Sequence, residues 1–225
     1  MPGDGDEITR VTRSKDVARV SYDKLSKWYD LIAGSSERKF RDVGLDKLGV
    51  GVGERVLEIG FGTGHSLVAL AQRVGTSGKV YGIDLSEGMF QLAEARVRAA
   101  GLSTRVELAR GDATLLPYET DFFDAVLMSF VLELFDTPEL SIVLRECRRV
   151  LRRHGRTSVV ALSKKKGLAV TLYEWAHAQF PSTVDCRPIF VKKTLEGAGF
   201  QVVDSTEMSM WGLPVDVVVA RKALP

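Results

Sequence analysis

The chain has little of what marks a metal, redox or disulfide-built protein. Its 225 residues include two cysteines, Cys147 and Cys186, and three histidines. Two thiols so far apart make no disulfide framework and lack the paired spacing of a zinc site, so no metal is expected. No apolar run reaches transmembrane length, and the polar start does not read as a signal peptide. An excess of one charge sign is also missing. The formal net charge of +2 is too small to argue for nucleic acid. There is no internal repeat and no low-complexity segment. These absences leave a cytoplasmic globular protein. Its 45% apolar and 27% charged residues suit a chain with one sizeable core.

What is present centres on one stretch, Arg55-Val56-Leu57-Glu58-Ile59-Gly60-Phe61-Gly62-Thr63-Gly64-His65-Ser66-Leu67. It reads as a buried strand, a glycine turn and the first turn of a helix. Such a turn lets the backbone approach a ligand, and the helix start offers free N–H groups. The same pattern also suits a tight connection with no ligand. Two details narrow it. The spacing is G-x-G-x-G, not the G-x-G-x-x-G of dinucleotide folds. Glu58 stands at the strand's carboxyl end, where it would repel a pyrophosphate and suit a ligand bearing positive charge. S-adenosylmethionine carries an ammonium and a sulfonium.

Glu58-x-Gly60-x-Gly62-x-Gly64 resembles the first motif of class I S-adenosylmethionine-dependent methyltransferases. Further features agree. Lys79 to Leu85 reads as a second strand ending in Asp84, about twenty residues past the glycine turn, where doubly wound folds place a ribose-binding acid. Asp84 or Ser86 would equally serve as a helix cap. Met89, in a D-x-S-x-x-M pattern, lies where relatives line the adenine, although core packing explains it as well. Gly111-Asp112-Ala113 follows a short third strand. The resemblance gives Asp112 the adenine amino group and the Ala113 N–H a ring nitrogen; an Asx turn ending the strand is the alternative. Leu116 to Asp124 resembles the family's L-P-F-x-D-x-x-F-D connection. Ala125 to Phe130 is a fourth strand whose end, Ser129-Phe130, should open onto the site.

Six strand signals alternating with helices, and a seventh closing the chain, give an α/β three-layer αβα sandwich. The resemblance makes it a Rossmann-like, seven-stranded, mostly parallel sheet with an antiparallel last strand. Residues 1–50 are expected to form an N-terminal helical cap or lid after a frayed tail (1–14), and 51–225 the methyltransferase domain. Within it, 163–190 reads as a substrate-pocket insertion. The cap carries two Tyr-Asp pairs, at Tyr22 and Tyr29, in a segment similar to the ubiquinone/menaquinone C-methyltransferase branch. Either they pack the core or they close over cofactor and substrate. The basic run Arg145 to Arg156 reads as a helix C-terminus complementing its dipole, with His154 in that cap. Lys164-Lys165-Lys166 is a turn. Phe200–Asp204 and Leu213–Ala220 read as strands joined by a longer loop. Val131 to Asp136 departs from the common family pattern, with Glu133 and Leu134 where relatives carry histidines or an Arg-Asn pair.

The expected site is therefore Glu58, Gly60, Phe61, Gly62, Thr63, Gly64, Asp84, Leu85, Met89, Asp112, Ala113, Ser129, Phe130 and Tyr22, holding S-adenosyl-L-methionine and releasing S-adenosyl-L-homocysteine. The reaction implied is methyl transfer to a small molecule such as a quinol or phenol ring. An N- or O-methyltransferase on a phospholipid amine or other metabolite, with peripheral membrane contact, is a second reading. A non-catalytic binder of the same cofactor is a third. Tyr22, Tyr29, Glu133 and His177 are the candidate bases, and no spacing singles one out. The acceptor atom and the oligomeric state are not encoded in any motif.

Overall fold

A computed structural model describes residues 8, 10, 11, 17, 34–165, 167–179 and 186–223. The elements in order are α1 (Gly34–Leu48), β1 (Arg55–Ile59), α2 (His65–Arg73), β2 (Lys79–Asp84), α3 (Glu87–Ala99), β3 (Val106–Arg110) and β4 (Phe123–Ser129). A 3-10 turn (Leu132–Leu134), α4 (Thr137–Val150), β5 (Leu151–Leu162), α5 (Leu168–Gln179), α6 (Val191–Gly197), β6 (Phe200–Met210) and β7 (Leu213–Lys222) follow. The strands form one sheet in the order β3-β2-β1-β4-β5-β7-β6. Only β7 runs against the rest, antiparallel to both β5 and β6.

Strand alternation builds the layers. Leu57 and Ile59 of β1, with Val126 and Met128 of β4, face a core shared with α4 and α6. Val56, Ala125 and Leu127 face the opposite way, onto α2, α3 and the end of α1. The sheet is thus covered on both faces, as parallel strands require. A smaller cluster joins α1 and α5 to β5 and β7 through Phe40, Val170, Val160 and Val217. Cys147 is buried in the α4 core, and burial pushes its thiol up to about 12. That is the behaviour of a small packing residue, not a reactive one.

Several local expectations change. β5 begins at Leu151, directly after α4, and carries a bulge between the Phe123 and Ala125 partners. His154 sits exposed within that bulge at φ 66, four residues past the helix, so it caps nothing. Arg148 and Arg149 alone occupy the last turn of α4. Arg149 also donates to the carbonyls of Leu116 and Tyr118, and Arg152 pairs with Asp124 at 2.7 Å. The basic run therefore holds loops as well as facing a helix end. β6 continues to Met210 and turns at once through Trp211-Gly212, both with positive φ. The expected longer loop is a two-residue hairpin turn. The polar, half-exposed alternation of Ser205 to Ser209 along this sheet edge concealed the strand.

Candidate functional site

The carboxyl ends of β1, β2, β3 and β4 converge on one crevice, where order reversal between β1 and β4 opens an α/β sheet to a ligand. It comprises two adjoining cavities that share Gly60, Gly62 and Ser129. The first is bounded by Asp84, Leu85 and Met89 after β2, by Asp112 and Ala113 after β3, and by Phe130, Val131, Leu134 and Phe135 after β4. The second is bounded by Glu58, Phe61, Thr63 and Ser66, and by Glu37 and Arg41 of α1.

The three motif glycines serve different ends. A Cβ on Gly60 would lie 2.4 Å from the Val131 side chain, and one on Gly64 would lie 2.9 Å from Ala93 of α3. Those two allow close packing. Gly62, at φ 50, has nothing within 4 Å where a Cβ would stand, so its bare face is open to the crevice. Gly64 is the N-cap of α2 and lines neither cavity.

Glu58 is 2% exposed, and its Oε2 has no hydrogen-bond partner. Burial raises its pKa from 4.5 to about 8, against a Ser66 hydrogen bond and the Arg41 charge, which lower it. A buried carboxyl with an idle oxygen on a cavity wall is costly unless a donor or cation completes it. Asp84 accepts from Gly62 N at 3.0 Å through Oδ2 and from Ser86 N at 2.9 Å through Oδ1. It braces the glycine turn while lining the first cavity. Helix capping falls to Ser86, whose hydroxyl accepts from Met89 N at 3.1 Å. Asp112 accepts from Thr114 N at 2.9 Å, an Asx turn, and still lines the cavity. Phe130 holds φ 53, a strained value for a bulky residue, and its ring meets Phe40 of α1 edge-on at 6.1 Å.

Of the fourteen expected residues, twelve line one or both cavities, Gly64 packs behind them, and Tyr22 lies outside the described residues. Among the candidate bases, Tyr29 also lies outside them. Glu133 and His177 are buried and line neither cavity. Glu133 Oε1 accepts from Leu162 N at 3.3 Å.

Sequence reasoning missed Val11, Arg41, Asp136 and Glu139 on the cavity walls. Asp136-x-x-Glu139 is legible as a capping box, and the structure shows it as one at the start of α4. Its position just beyond β4 was the available signal that it also faces the crevice. Val11 and Arg41 come from outside the strand–turn pattern and left no local sign. The expected frayed tail is corrected in part, since Ile8 packs on the core and Arg10 pairs with Asp136. Behind this wall, fully buried Arg187 donates to Thr137 Oγ1 at 2.9 Å and to the Phe135 carbonyl, holding the 135–137 segment.

The crevice fits a sulfonium nucleoside better than a dinucleotide. It has carboxylates at Asp84 and Asp112 for hydroxyl and amino donors, and an unpartnered buried carboxyl at Glu58 where a pyrophosphate would need cations.

Comparisons with known proteins agree. Residues 56–155 match a methyltransferase domain model. The demethylmenaquinone methyltransferase of Lactobacillus johnsonii is 34% identical over 163 residues, 70% of this chain and 65% of the relative. That of Bacillus subtilis is 33% identical over 147 residues, 64% and 62% of the two chains. The matched region thus spans just under two thirds of these relatives' length. A crystal structure of a SAM-dependent methyltransferase from Aquifex aeolicus superposes with TM-score 0.64 at 23% identity, covering 91% of this chain and 98% of that one. The [4+2]-cyclase SpnF superposes with TM-score 0.73 at 19% identity, covering 95% and 98%. These two likenesses show the fold, and the cyclase shows that the fold alone does not name the reaction. The match over residues 56–155, the sheet order and the acid-tipped glycine turn together give this chain a methyltransferase domain of Rossmann-like fold.

Proposed function

We propose that the chain transfers a methyl group from S-adenosyl-L-methionine to a small quinol- or phenol-type ring. The observation that carries the cofactor reading is the buried Glu58 carboxyl with its unpartnered Oε2 beside the Gly60–Gly64 turn. The acceptor class rests on the demethylmenaquinone methyltransferase relatives. In this reading Glu58 takes the methionine ammonium, Asp84 the ribose hydroxyls, and Asp112 with the Ala113 N–H the adenine edge. Leu85, Met89 and Phe130 supply apolar walls. Phe61, Gly62 and Thr63 supply close backbone, and Tyr22 closes from the 1–50 cap. Residues 163–190 complete the acceptor pocket.

The cofactor supplies an electrophilic methyl on a sulfonium. The protein's part is to align a nucleophile with it, about 3–3.5 Å away, and to exclude water. Among the described candidate bases, neither Glu133 nor His177 lines the crevice, which suits an acceptor already nucleophilic as an ionised ring. The phospholipid-amine reading is less favoured. Lys164 pairs with Glu174 at 2.8 Å and Lys165 pairs with Glu207, so both are spent within the protein. We place the protein in the cytoplasm with a small-molecule partner and no nucleic acid. Among the described residues, no helix is long and apolar enough to cross a membrane.

Thermal shift tests the cofactor. S-adenosylhomocysteine should raise the melting temperature and NAD should not; the reverse would sink the assignment. Turnover on quinols, phenols, amines and phosphatidylethanolamine tests the acceptor. Binding without methylation of any of these would favour the non-catalytic reading.

A further inference from the structure

Val11 forms part of the wall of the first cavity. Ile8 packs against the core on the α4 side of the sheet. Arg10 grips Asp136 with Nε at 2.8 and 3.0 Å from its two oxygens and Nη2 at 2.6 Å from Oδ2. The Val11 N–H adds a bond to Oδ1 at 2.9 Å. The Arg10 hydrogen bonds hold the Asp136 carboxyl well below the usual carboxylate range. Asp136 is at the same time the N-cap of α4, accepting from Thr137 N at 2.8 Å. A chain segment more than a hundred residues distant in sequence is therefore fastened to a rigid helix start. The residue so placed is Val11, which lines the first cavity, with Asp84 and Asp112, and not the second, with Glu58.

We propose that Val11 is a wall of the nucleoside half of the cofactor site, and that Arg10 is the positioning residue that holds it there through Asp136. This rests on the cofactor reading above. If the ligand's nucleoside occupies the first cavity, Val11 covers it, and loosening the Arg10 tether opens that cover. The effect is specific to one half of the ligand. Arg10 acts at the nucleoside end, whereas Glu58 acts at the amino-acid end.

The test measures dissociation constants of the full chain for S-adenosylhomocysteine and for 5′-methylthioadenosine, which keeps the nucleoside and lacks the amino acid. Arg10→Ala should weaken both ligands by the same factor, roughly fivefold, the upper range for an exposed pair. Arg10→Lys should restore part of the loss. Glu58→Gln should weaken S-adenosylhomocysteine alone. The Arg10 side chain is 65% exposed, so raising salt to about 0.5 M should weaken wild-type binding of 5′-methylthioadenosine and leave Arg10→Ala unmoved. Circular dichroism melts check that the variant stays folded. Wild-type protein that binds both ligands, with Arg10→Ala unchanged or weakened toward S-adenosylhomocysteine only, overturns this proposal alone. Wild-type protein that binds neither ligand overturns the cofactor reading, and this proposal with it.

Discussion

At the scale of single residues, Glu58 sets the charge of the crevice. Its carboxyl is neutral at pH 7 in the free protein, because burial lifts its pKa to about 8. Binding a cationic group beside it favours the charged form and so expels a proton. Affinity for S-adenosylhomocysteine should therefore rise from pH 6 to 8 and level off above 8. Calorimetry at pH 7 in buffers of different ionisation enthalpy should show close to one proton released, and Glu58→Gln should abolish both effects. The same shift has a stability sign. Between pH 4.5 and 8 the unfolded chain loses this proton while the folded chain keeps it, so the folded state binds more protons and its stability falls as pH rises. Glu58→Gln should flatten that fall and melt higher than wild type at pH 8. A variant that melts lower there would show that the carboxylate is satisfied in the free protein.

Elements impose a second set of constraints. The motif glycines look equivalent in the chain, yet the helix behind them separates their roles. Gly64→Ala drives a Cβ into Ala93 at 2.9 Å, where α2 meets α3, and also puts a side chain on a backbone at φ 84, so it should cost about 2–5 kcal/mol of stability. Gly62→Ala meets no atom within 4 Å and should cost only about 1–2 kcal/mol for its left-handed backbone, while losing more ligand affinity than Gly64→Ala. Denaturant melts paired with calorimetry separate the two. The β6–β7 turn makes the opposite case. Trp211 is 78% exposed and held at φ 52 ahead of Gly212. Asparagine tolerates that conformation and completes the Asn-Gly pair favoured in two-residue hairpins. Trp211→Asn should raise stability by roughly 0.5 kcal/mol, visible as a higher melting temperature. A lower one would mean that the indole packs against a surface.

On the scale of the whole molecule, the site depends on α1 being fastened across the sheet. Gly44 brings that helix onto β5, where a Cβ would come within 2.6 Å of Val160. Arg156, in β5, donates to the carbonyls of Leu48 and Gly49 and to both oxygens of Glu54. It ties the end of α1, the following loop and the sheet into one body, which keeps Arg41 on the crevice wall and Phe40 against Phe130. Arg156→Met leaves the part-buried Leu48 carbonyl without its donor and Glu54 without its partner, and should cost about 1–3 kcal/mol. It should also weaken S-adenosylhomocysteine, although Arg156 lines neither cavity. Unchanged binding with lowered stability would show that α1 reaches its place without this tie.

The sheet, its layers and the strand-tip residues Glu58, Asp84, Asp112, Ser129 and Phe130 were legible because they obey local rules. Hydrophobic period, glycine spacing and the acid closing a strand act over a few neighbours, and chain order alone carries them. The hairpin at Trp211 and the early start of β5 were harder, since edge position and a bulge blur the alternation that marks a strand. Val11, Arg10, Arg41 and Asp136 met at the crevice only through long-range packing. Nothing near Arg10 in the chain announces an acid 126 residues away. Two groups become partners when the sheet order and the helix start of α4 bring them within 3 Å, and that distance is set by the tertiary structure.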